Sequence, residues 1–293
     1  MNPTKLSEKA SQHTVKIKDQ DFFNYNTITV NLDPDTRSAR MALKSPQINR
    51  ETLFELESFT SWLTGHLEIH SVLITSEFTR FGEGFCPEEM AKMSDEQFYQ
   101  TLERLQKLIC GLMYLPQTII ADLKEGASGI SAELALGADI RIAQRGCKFQ
   151  LSGLEQGQVK TCGGIGLLEL IVAPQFCRQW NLLQGPIPTD QLLTSGLFFQ
   201  FYSENEEAGT QLQRKVAKQS PIARIQTKRS LFEGIRKRVE NLKQREFQFA
   251  TAALGQRDWE EAINAERENR GPDFKNPKEL AGELKENRRQ AEV

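Results

Sequence analysis

A single glutamate lies inside the apolar segment SAELALGA at residues 131–138. This residue is Glu133, and the composition around it predicts a buried helix. A buried carboxylate is costly unless it has a partner or a purpose. Burial also raises a carboxyl pKa, which suits a group that takes up and returns protons. Glu133 is therefore a candidate general acid or base, and the alternative is a solvent-facing or salt-bridged helix residue.

The elements around Glu133 predict an α/β fold. Residues 27–32 and 38–43 alternate in polarity around the turn Asp33-Pro34-Asp35, which predicts a β-hairpin. The segments HSVLITSE, QTIIADLK and DIRIAQ read as buried strands, and helical patterns separate them. Strands that alternate with helices indicate crossover connections. The chain after DIRIAQ is expected to be a loop followed by a helix.

Three regions are expected along the chain. Residues 1–20 are polar and predicted to be flexible, and residues 21–210 form the α/β core. Residues 211–293 carry an almost continuous helical pattern, with Gly271-Pro272 as a stop signal. The prediction is one α/β core followed by a helical C-terminal region.

The composition argues against several functions. The formal net charge is −2, so no basic excess points to nucleic acid. The basic stretch at residues 228–245 alternates with acidic and apolar residues, which favours a solvated helix face. No apolar run of about 18 residues and no secretory signal occur. A soluble cytoplasmic protein without a membrane span is expected.

Cysteine and histidine usage argues against a metal or a disulfide framework. The five cysteines form no CxxC pair, and their odd number fits reduced thiols. None of the three histidines stands at ligand spacing from a cysteine. No dinucleotide-binding glycine motif follows a strand, which argues against a dinucleotide fold. No separate cofactor is expected.

Several segments in order resemble the crotonase superfamily, the enoyl-CoA hydratase/isomerase family. The clearest is TIIADLKEGASGISAELALGADIRIA, which is similar to the family's strand, glycine-rich turn, helix and strand. The family pattern FGxPEVxLGxxPxxGG has its counterpart here in KFQLSGLEQGQVKTCGGIGLLELIVAP. The family pattern VLTGxGxAFxAGxDLxEM resembles the segment VLITSEFTRFGEGFCPEEM. The likeness spans roughly residues 25–275. It implies a crotonase-like spiral of ββα units with a helical C-terminal region.

The resemblance also implies a site for an acyl-CoA thioester. Such enzymes stabilise an enolate-like oxyanion with two backbone N–H groups, and by position these belong to Phe85 and Ile130. The Ile130 amide would lie at a helix start, where unpaired amides and the helix dipole favour an anion. The alternative is a glycine turn that only caps a core helix. By position Glu133 matches the first of the hydratase's two catalytic glutamates.

The second hydratase glutamate has no obvious counterpart. A straight count from Glu133 puts Gly153 in its place, and the nearest acid is Glu155. Three interpretations remain open: Glu155 moves in through a loop shift, Glu133 works alone, or the chain is a catalytically degenerate member that binds an acyl-CoA or a protein partner. The single-glutamate interpretation includes isomerisation, decarboxylation and thioester hydrolysis. Gly163 and Gly164 match a family glycine pair that lets the next helix pack closely.

The resemblance finally implies contacts with coenzyme A, which enters as part of the substrate. The expected binding residues on the early loops and the turn are Lys44, Gly82, Glu83, Gly84, Cys86 and Gly129. Lys44 could meet a CoA phosphate or could be an ordinary surface lysine. Phe274 and Lys275 are expected near the CoA of a neighbouring subunit, in a homotrimer or dimer of trimers. The family also implies a place in fatty acid metabolism.

Overall fold

A computed structural model describes residues 23–274 except 152, 184, 205 and 256. The described chain forms ten strands: β1 (Ile28–Asp33), β2 (Ser38–Leu43), β3 (Gln47–Ile48), β4 (Ser71–Ser76), β5 (Gly84–Phe85), β6 (Thr118–Asp122), β7 (Gly126–Ser128), β8 (Ile140–Gln144), β9 (Lys148–Gln150) and β10 (Gln200–Tyr202). Six of them build the main sheet in the order β1-β2-β4-β6-β8-β10. Only the β1–β2 pair in that sheet is antiparallel.

The four short strands form a second layer. β3 pairs with β5 and β7 pairs with β9, both in parallel, and a bridge between Gly82 and Ala127 links the two pairs. Each of four successive units thus gives a strand to the main sheet and a short strand to this layer before a helical segment follows. This is the predicted spiral of ββα units. The expected loop after β8 was partly wrong, because it contains β9.

Eleven helices lie in the described chain: α1 (Arg50–Gly65), α2 (Pro87–Met90), α3 (Asp95–Leu112), α4 (Gly129–Leu136), α5 (Gly166–Ile171), α6 (Pro174–Leu182), α7 (Thr189–Thr194), α8 (Ala208–Ala217), α9 (Pro221–Glu233), α10 (Arg236–Leu254) and α11 (Asp258–Arg267). Among these, none is long and apolar enough to cross a membrane. The expected flexible segment 1–20 lies outside the described residues.

Local chemistry explains the predicted hairpin. The Asp33 carboxylate closes the turn, because its Oδ1 accepts from the Asp35 amide at 2.9 Å and its Oδ2 from the Thr36 hydroxyl at 2.7 Å. These side-chain bonds hold β1 and β2 in register, with Ile28 opposite Leu43. The prediction of this hairpin is confirmed.

The C-terminal helices pack onto the core of the same chain. Gln106 on α3 donates to the Thr161 carbonyl at 2.6 Å and to the Lys243 carbonyl at 3.0 Å, which ties α10 to the loop before α5. Trp259 on α11 is buried and stacks on Phe98 with 5.3 Å between ring centroids. The helical region therefore covers the loop at residues 153–165.

Candidate active site

An open cavity of about 540 Å³ lies between β5, the start of α4, the loop at residues 153–162 and α11. Its walls include Phe85, Ile130, Glu133, Lys160 and Trp259. Two backbone amides, one buried carboxyl group and one buried ammonium group thus meet around one space. The helix α11 closes it from the side of the C-terminal region.

The amides of Phe85 and Ile130 belong to adjoining backbone. Phe85 lies opposite Ile48 in the parallel β3–β5 pair, and the next amide, Cys86, donates to the Ile48 carbonyl at 2.8 Å. Because N–H groups alternate in direction along a strand, the Phe85 N–H points away from β3. A Cβ placed on Gly84 would lie 3.7 Å from the Ile130 nitrogen. The strand β5 and the start of α4 therefore adjoin each other at the cavity, and both amides belong to residues that line it.

The Ile130 amide stands in the first turn of α4. The N-cap residue Ser128 makes no capping hydrogen bond with its side chain. The first amides of a helix have no intrahelical acceptor, so Ile130 keeps a free donor in the wall of the cavity. The Ser131 hydroxyl accepts from the Gly84 amide at 3.1 Å and contacts the space where a Gly82 Cβ would stand. Gly82 therefore packs against the helix and is not part of the cavity wall.

Glu133 is buried, with 4% of its surface exposed, so the solvent-facing alternative is wrong. Its Oε2 accepts from the Cys162 amide at 2.9 Å and from the Gly164 amide at 2.7 Å. Its Oε1 accepts no hydrogen bond from the described residues. Burial and, after it, the Glu246 charge raise the pKa of Glu133 to about 7, against the two amides and Lys160. A carboxyl group with this pKa can gain and lose a proton near neutrality.

Glu246 on α10 is a second buried carboxylate that the sequence did not indicate. It is 3% exposed, and it accepts from the Gly163, Ile165 and Gly166 amides at 3.0, 2.9 and 2.6 Å. Burial raises its pKa, while these amides lower it. Glu246 holds the backbone that in turn holds Glu133.

The structure places no carboxylate at Gly153, the position where a second catalytic acid was expected. Gly153 lies in the cavity wall, and Glu155 stands on the exposed turn Leu154–Gln156 at the rim. Glu155 makes no hydrogen bond with Glu133 and is not among the charges that shift the Glu133 pKa. Both carboxyl groups face the same cavity, but the structure does not pair them.

Lys160 stands where the second acid was expected. A Cβ placed on Gly153 would lie 3.5 Å from the Lys160 Nζ. Lys160 is 5% exposed, and burial lowers its pKa while Glu133 raises it. A Cβ on Gly164 would lie 2.7 Å from the Lys160 Cδ and 2.9 Å from the Glu133 Oε2. Gly164 therefore makes room for both charged side chains, beyond the helix packing inferred from the sequence.

Some of the remaining residues that were expected to bind CoA line the cavity, and others lie outside its wall. Glu83, Gly84 and Gly129 line the cavity. The others that the structure describes lie outside its wall: Lys44 is exposed and donates to the Tyr25 carbonyl at 3.0 Å, Cys86 donates to Glu88 at 3.2 Å, and Phe274 is exposed. Lys275 lies outside the described residues. Their contacts with CoA stay predictions.

Comparison with known proteins identifies the family. Residues 38–277 match the model of the enoyl-CoA hydratase/isomerase family. An Escherichia coli protein named 1,2-epoxyphenylacetyl-CoA isomerase is 27% identical over 212 residues, which cover 67% of this chain and 79% of the relative. A short-chain-enoyl-CoA hydratase of Clostridium acetobutylicum is 23% identical over 211 residues, with coverages of 70% and 81%.

Solved structures agree on the fold. An enoyl-CoA hydratase from Mycobacterium avium subspecies paratuberculosis superposes with a TM-score of 0.76 at 19% identity, covering 86% of this chain and all (100%) of the other. Pseudomonas aeruginosa DspI gives a TM-score of 0.68 at 25% identity, with coverages of 75% and 91%. The family and the names of the relatives support an enzyme of the lyase or isomerase type. The chain belongs to the enoyl-CoA hydratase/isomerase family and has the crotonase fold.

Proposed function

We propose that this chain isomerises acyl-CoA thioesters, with Glu133 as the only carboxylate that moves a proton. The observation that carries the proposal is the combination of a buried carboxyl group of raised pKa with a wall that lacks a second acid at Gly153. The name of the Escherichia coli relative, an isomerase acting on a CoA thioester, agrees with this reaction type.

The reaction begins with the thioester carbonyl oxygen between the Phe85 and Ile130 amides. Glu133 removes a proton from the carbon next to the carbonyl or, in an unsaturated chain, from the γ carbon. The electrons move onto the carbonyl oxygen, and the two N–H groups stabilise the charge that develops there. The protonated Glu133 then returns the proton to another carbon of the same chain, so the double bond moves and no atom is gained or lost.

The same wall disfavours hydration. Adding water to a double bond requires a water molecule held in place and a second group that exchanges a proton with it. Gly153 offers no side chain for this work, and Glu155 lies at the exposed rim. Isomerisation needs only one base, which is what the described cavity provides.

The test is proton exchange followed by nuclear magnetic resonance. A saturated acyl-CoA in deuterium oxide should lose its α-proton signal over repeated cycles in the presence of the protein, because the proton held by Glu133 exchanges with deuterium oxide between its removal and its return. A 3-enoyl-CoA should turn into the conjugated 2-enoyl-CoA, which absorbs in the ultraviolet. Glu133→Gln should abolish both signals, whereas the rim variant Glu155→Gln should keep them.

Two results would contradict the proposal. Steady formation of a 3-hydroxyacyl-CoA from crotonyl-CoA would identify a hydratase. Tight binding of acyl-CoA without any deuterium exchange would identify a binding protein that carries out no chemistry. The trimeric assembly, the cytoplasmic location and a role in fatty acid metabolism remain proposals that rest on the family.

A further inference from the structure

The Lys160 ammonium group is the unusual feature of this cavity. It is 95% buried by surface area, yet the described residues offer it no hydrogen bond and no close ion pair. A buried lysine normally has a partner, because removing an ammonium group from water costs free energy. The other buried lysine of the described residues obeys this rule, since Lys228 donates to Asp139 at 2.7 Å.

The charged groups around Lys160 do not pair with its ammonium group, which leaves that group available to bind a ligand. Glu133 and Glu246 influence the Lys160 charge, but neither carboxylate forms an ion pair with it among the described residues. The Glu133 Oε2 and both Glu246 oxygens accept from the backbone amides of residues 162–166. The other cation in the cavity wall, Arg270, is already paired with Glu261 and Glu268. Lys160 is therefore the cation that the described wall presents to a ligand.

We propose that Lys160 binds a carboxylate carried by the acyl group, so that the preferred substrates are CoA thioesters of dicarboxylic acids. The inference rests on the proposed function, because it assumes that the cavity holds an acyl-CoA thioester. The oxyanion donors Phe85 and Ile130 fix one end of the acyl group, and Lys160 fixes the other. Glu133 lines the same cavity.

The rim of the cavity does not oppose such a ligand. Glu83, Glu155 and Glu266 also line the cavity, but all three are exposed, so water and salt weaken their repulsion of an anion. Lys160 is shielded from water, where a charge-assisted hydrogen bond is strongest. The buried Lys160 ammonium group, and not the exposed glutamates, therefore determines which chemical group is accepted at the far end of the acyl chain.

The alternative role for Lys160 is proton transfer. A group that donates protons in each turnover must recover them from solvent or a neighbour, and Lys160 has no hydrogen-bonded neighbour among the described residues. Binding of an anionic end requires only the fixed charge. Binding measured without turnover therefore separates the two roles.

The experiment compares two saturated thioesters of similar shape by calorimetry. Glutaryl-CoA ends in a carboxylate, and 5-methylhexanoyl-CoA ends in an apolar isopropyl group. The unmodified protein should bind glutaryl-CoA at least about tenfold more tightly, as expected for a charge-assisted hydrogen bond. Lys160→Met should remove this preference and change the affinity for 5-methylhexanoyl-CoA by less than about threefold, because it deletes the charge and keeps most of the length.

Two further variants sharpen the comparison. Lys160→Arg keeps a cation and should retain part of the preference. Lys218→Met removes one exposed lysine far along the chain and should leave the preference intact, which controls for the loss of overall charge.

Several outcomes would overturn the inference. Equal binding of both thioesters to the unmodified protein, persistence of the preference in Lys160→Met, or equal weakening of both ligands would each refute a carboxylate site at Lys160. If deuterium exchange occurs but the preference is missing, only this inference fails. If neither thioester binds, the proposed function fails and this inference fails with it.

Discussion

Glu133 and Glu246 hold one backbone segment from both sides. Of the five successive amides at residues 162–166, those of Cys162 and Gly164 donate to Glu133, and those of Gly163, Ile165 and Gly166 donate to Glu246. Each carboxylate raises the cost of ionising the other, whereas the amides between them compensate for part of that cost. The proton affinity of the catalytic candidate thus depends on a helix more than 100 residues further along the chain.

Replacement of the base should separate chemistry from binding. Glu133→Gln keeps an oxygen for the Cys162 and Gly164 amides but cannot take a proton. We expect proton exchange to fall by a factor of about 10² to 10⁴, the usual contribution of general base catalysis. The dissociation constant of a saturated acyl-CoA should change little. A large loss of affinity would instead assign Glu133 to ligand binding.

The pH profile of turnover should have an acid limb set by Glu133. The group works as a base only when ionised, and its pKa is about 7. The rate constant kcat/KM should therefore fall about tenfold per pH unit below neutrality and level off above it. The measurement is initial isomerisation rates across the pH range at low substrate concentration.

Glu246→Gln should move this limb to lower pH. Removing the negative charge of Glu246 takes away the second largest cause of the raised Glu133 pKa. The same variant loses an acceptor for one of three amides, which should lower the unfolding free energy by about 1–3 kcal/mol. A destabilised variant with an unshifted acid limb would show that the two carboxyl groups do not interact.

Stability should depend on pH through the same group. The pKa of Glu133 is raised on folding, so its contribution to stability is complete below about 4.5 and is lost as the pH rises through about 7. Glu133→Gln cannot ionise, so its Tm relative to the unmodified protein should be higher at pH 8 than at pH 5. The linkage bounds the gain at roughly 3 kcal/mol. A Tm difference that is constant with pH would argue against a buried, ionised carboxylate.

Restoring an acid at Gly153 should not restore a hydratase. A Cβ at this position would lie 2.9 Å from the Gln158 carbonyl oxygen, so the loop must shift to accept any side chain. Gly153→Ala should cost about 1–3 kcal/mol in unfolding free energy. Gly153→Glu should pair with Lys160 without giving measurable hydration of crotonyl-CoA. Efficient hydration by this variant would mean that one missing carboxylate was the only obstacle.

The sequence predicted best those elements that are determined by residues close together in the chain. The turn at Asp33, the buried strands and the helix around Glu133 follow from short patterns, and the ordered resemblance placed them in the correct fold. Glu246 could not be found in this way, because its role arises from contacts 80 to 83 residues away along the chain. Lys160 lies in an irregular loop, where no periodicity distinguishes a buried side chain from an exposed one.

The surroundings of Gly153 also could not be predicted fully from the sequence. Counting residues correctly placed Gly153 against the cavity, but only the packing shows that a lysine ammonium group occupies the space beyond it. The wall formed by α11 and Trp259 was likewise invisible, because a helical pattern does not say which surface the helix covers.

The late position of Glu246 also bears on synthesis of the chain. Gly163 leaves the ribosome 83 residues before Glu246, a delay of roughly 4 to 17 seconds at 5 to 20 residues per second. During that interval the Gly163, Ile165 and Gly166 amides have no native acceptor, although five of the six strands of the main sheet, all except β10, have already been made. Final ordering of the loop at residues 162–166 must therefore wait for translation of α10, and a nascent chain cut short before that helix would lack the acceptors that hold this loop beside Glu133.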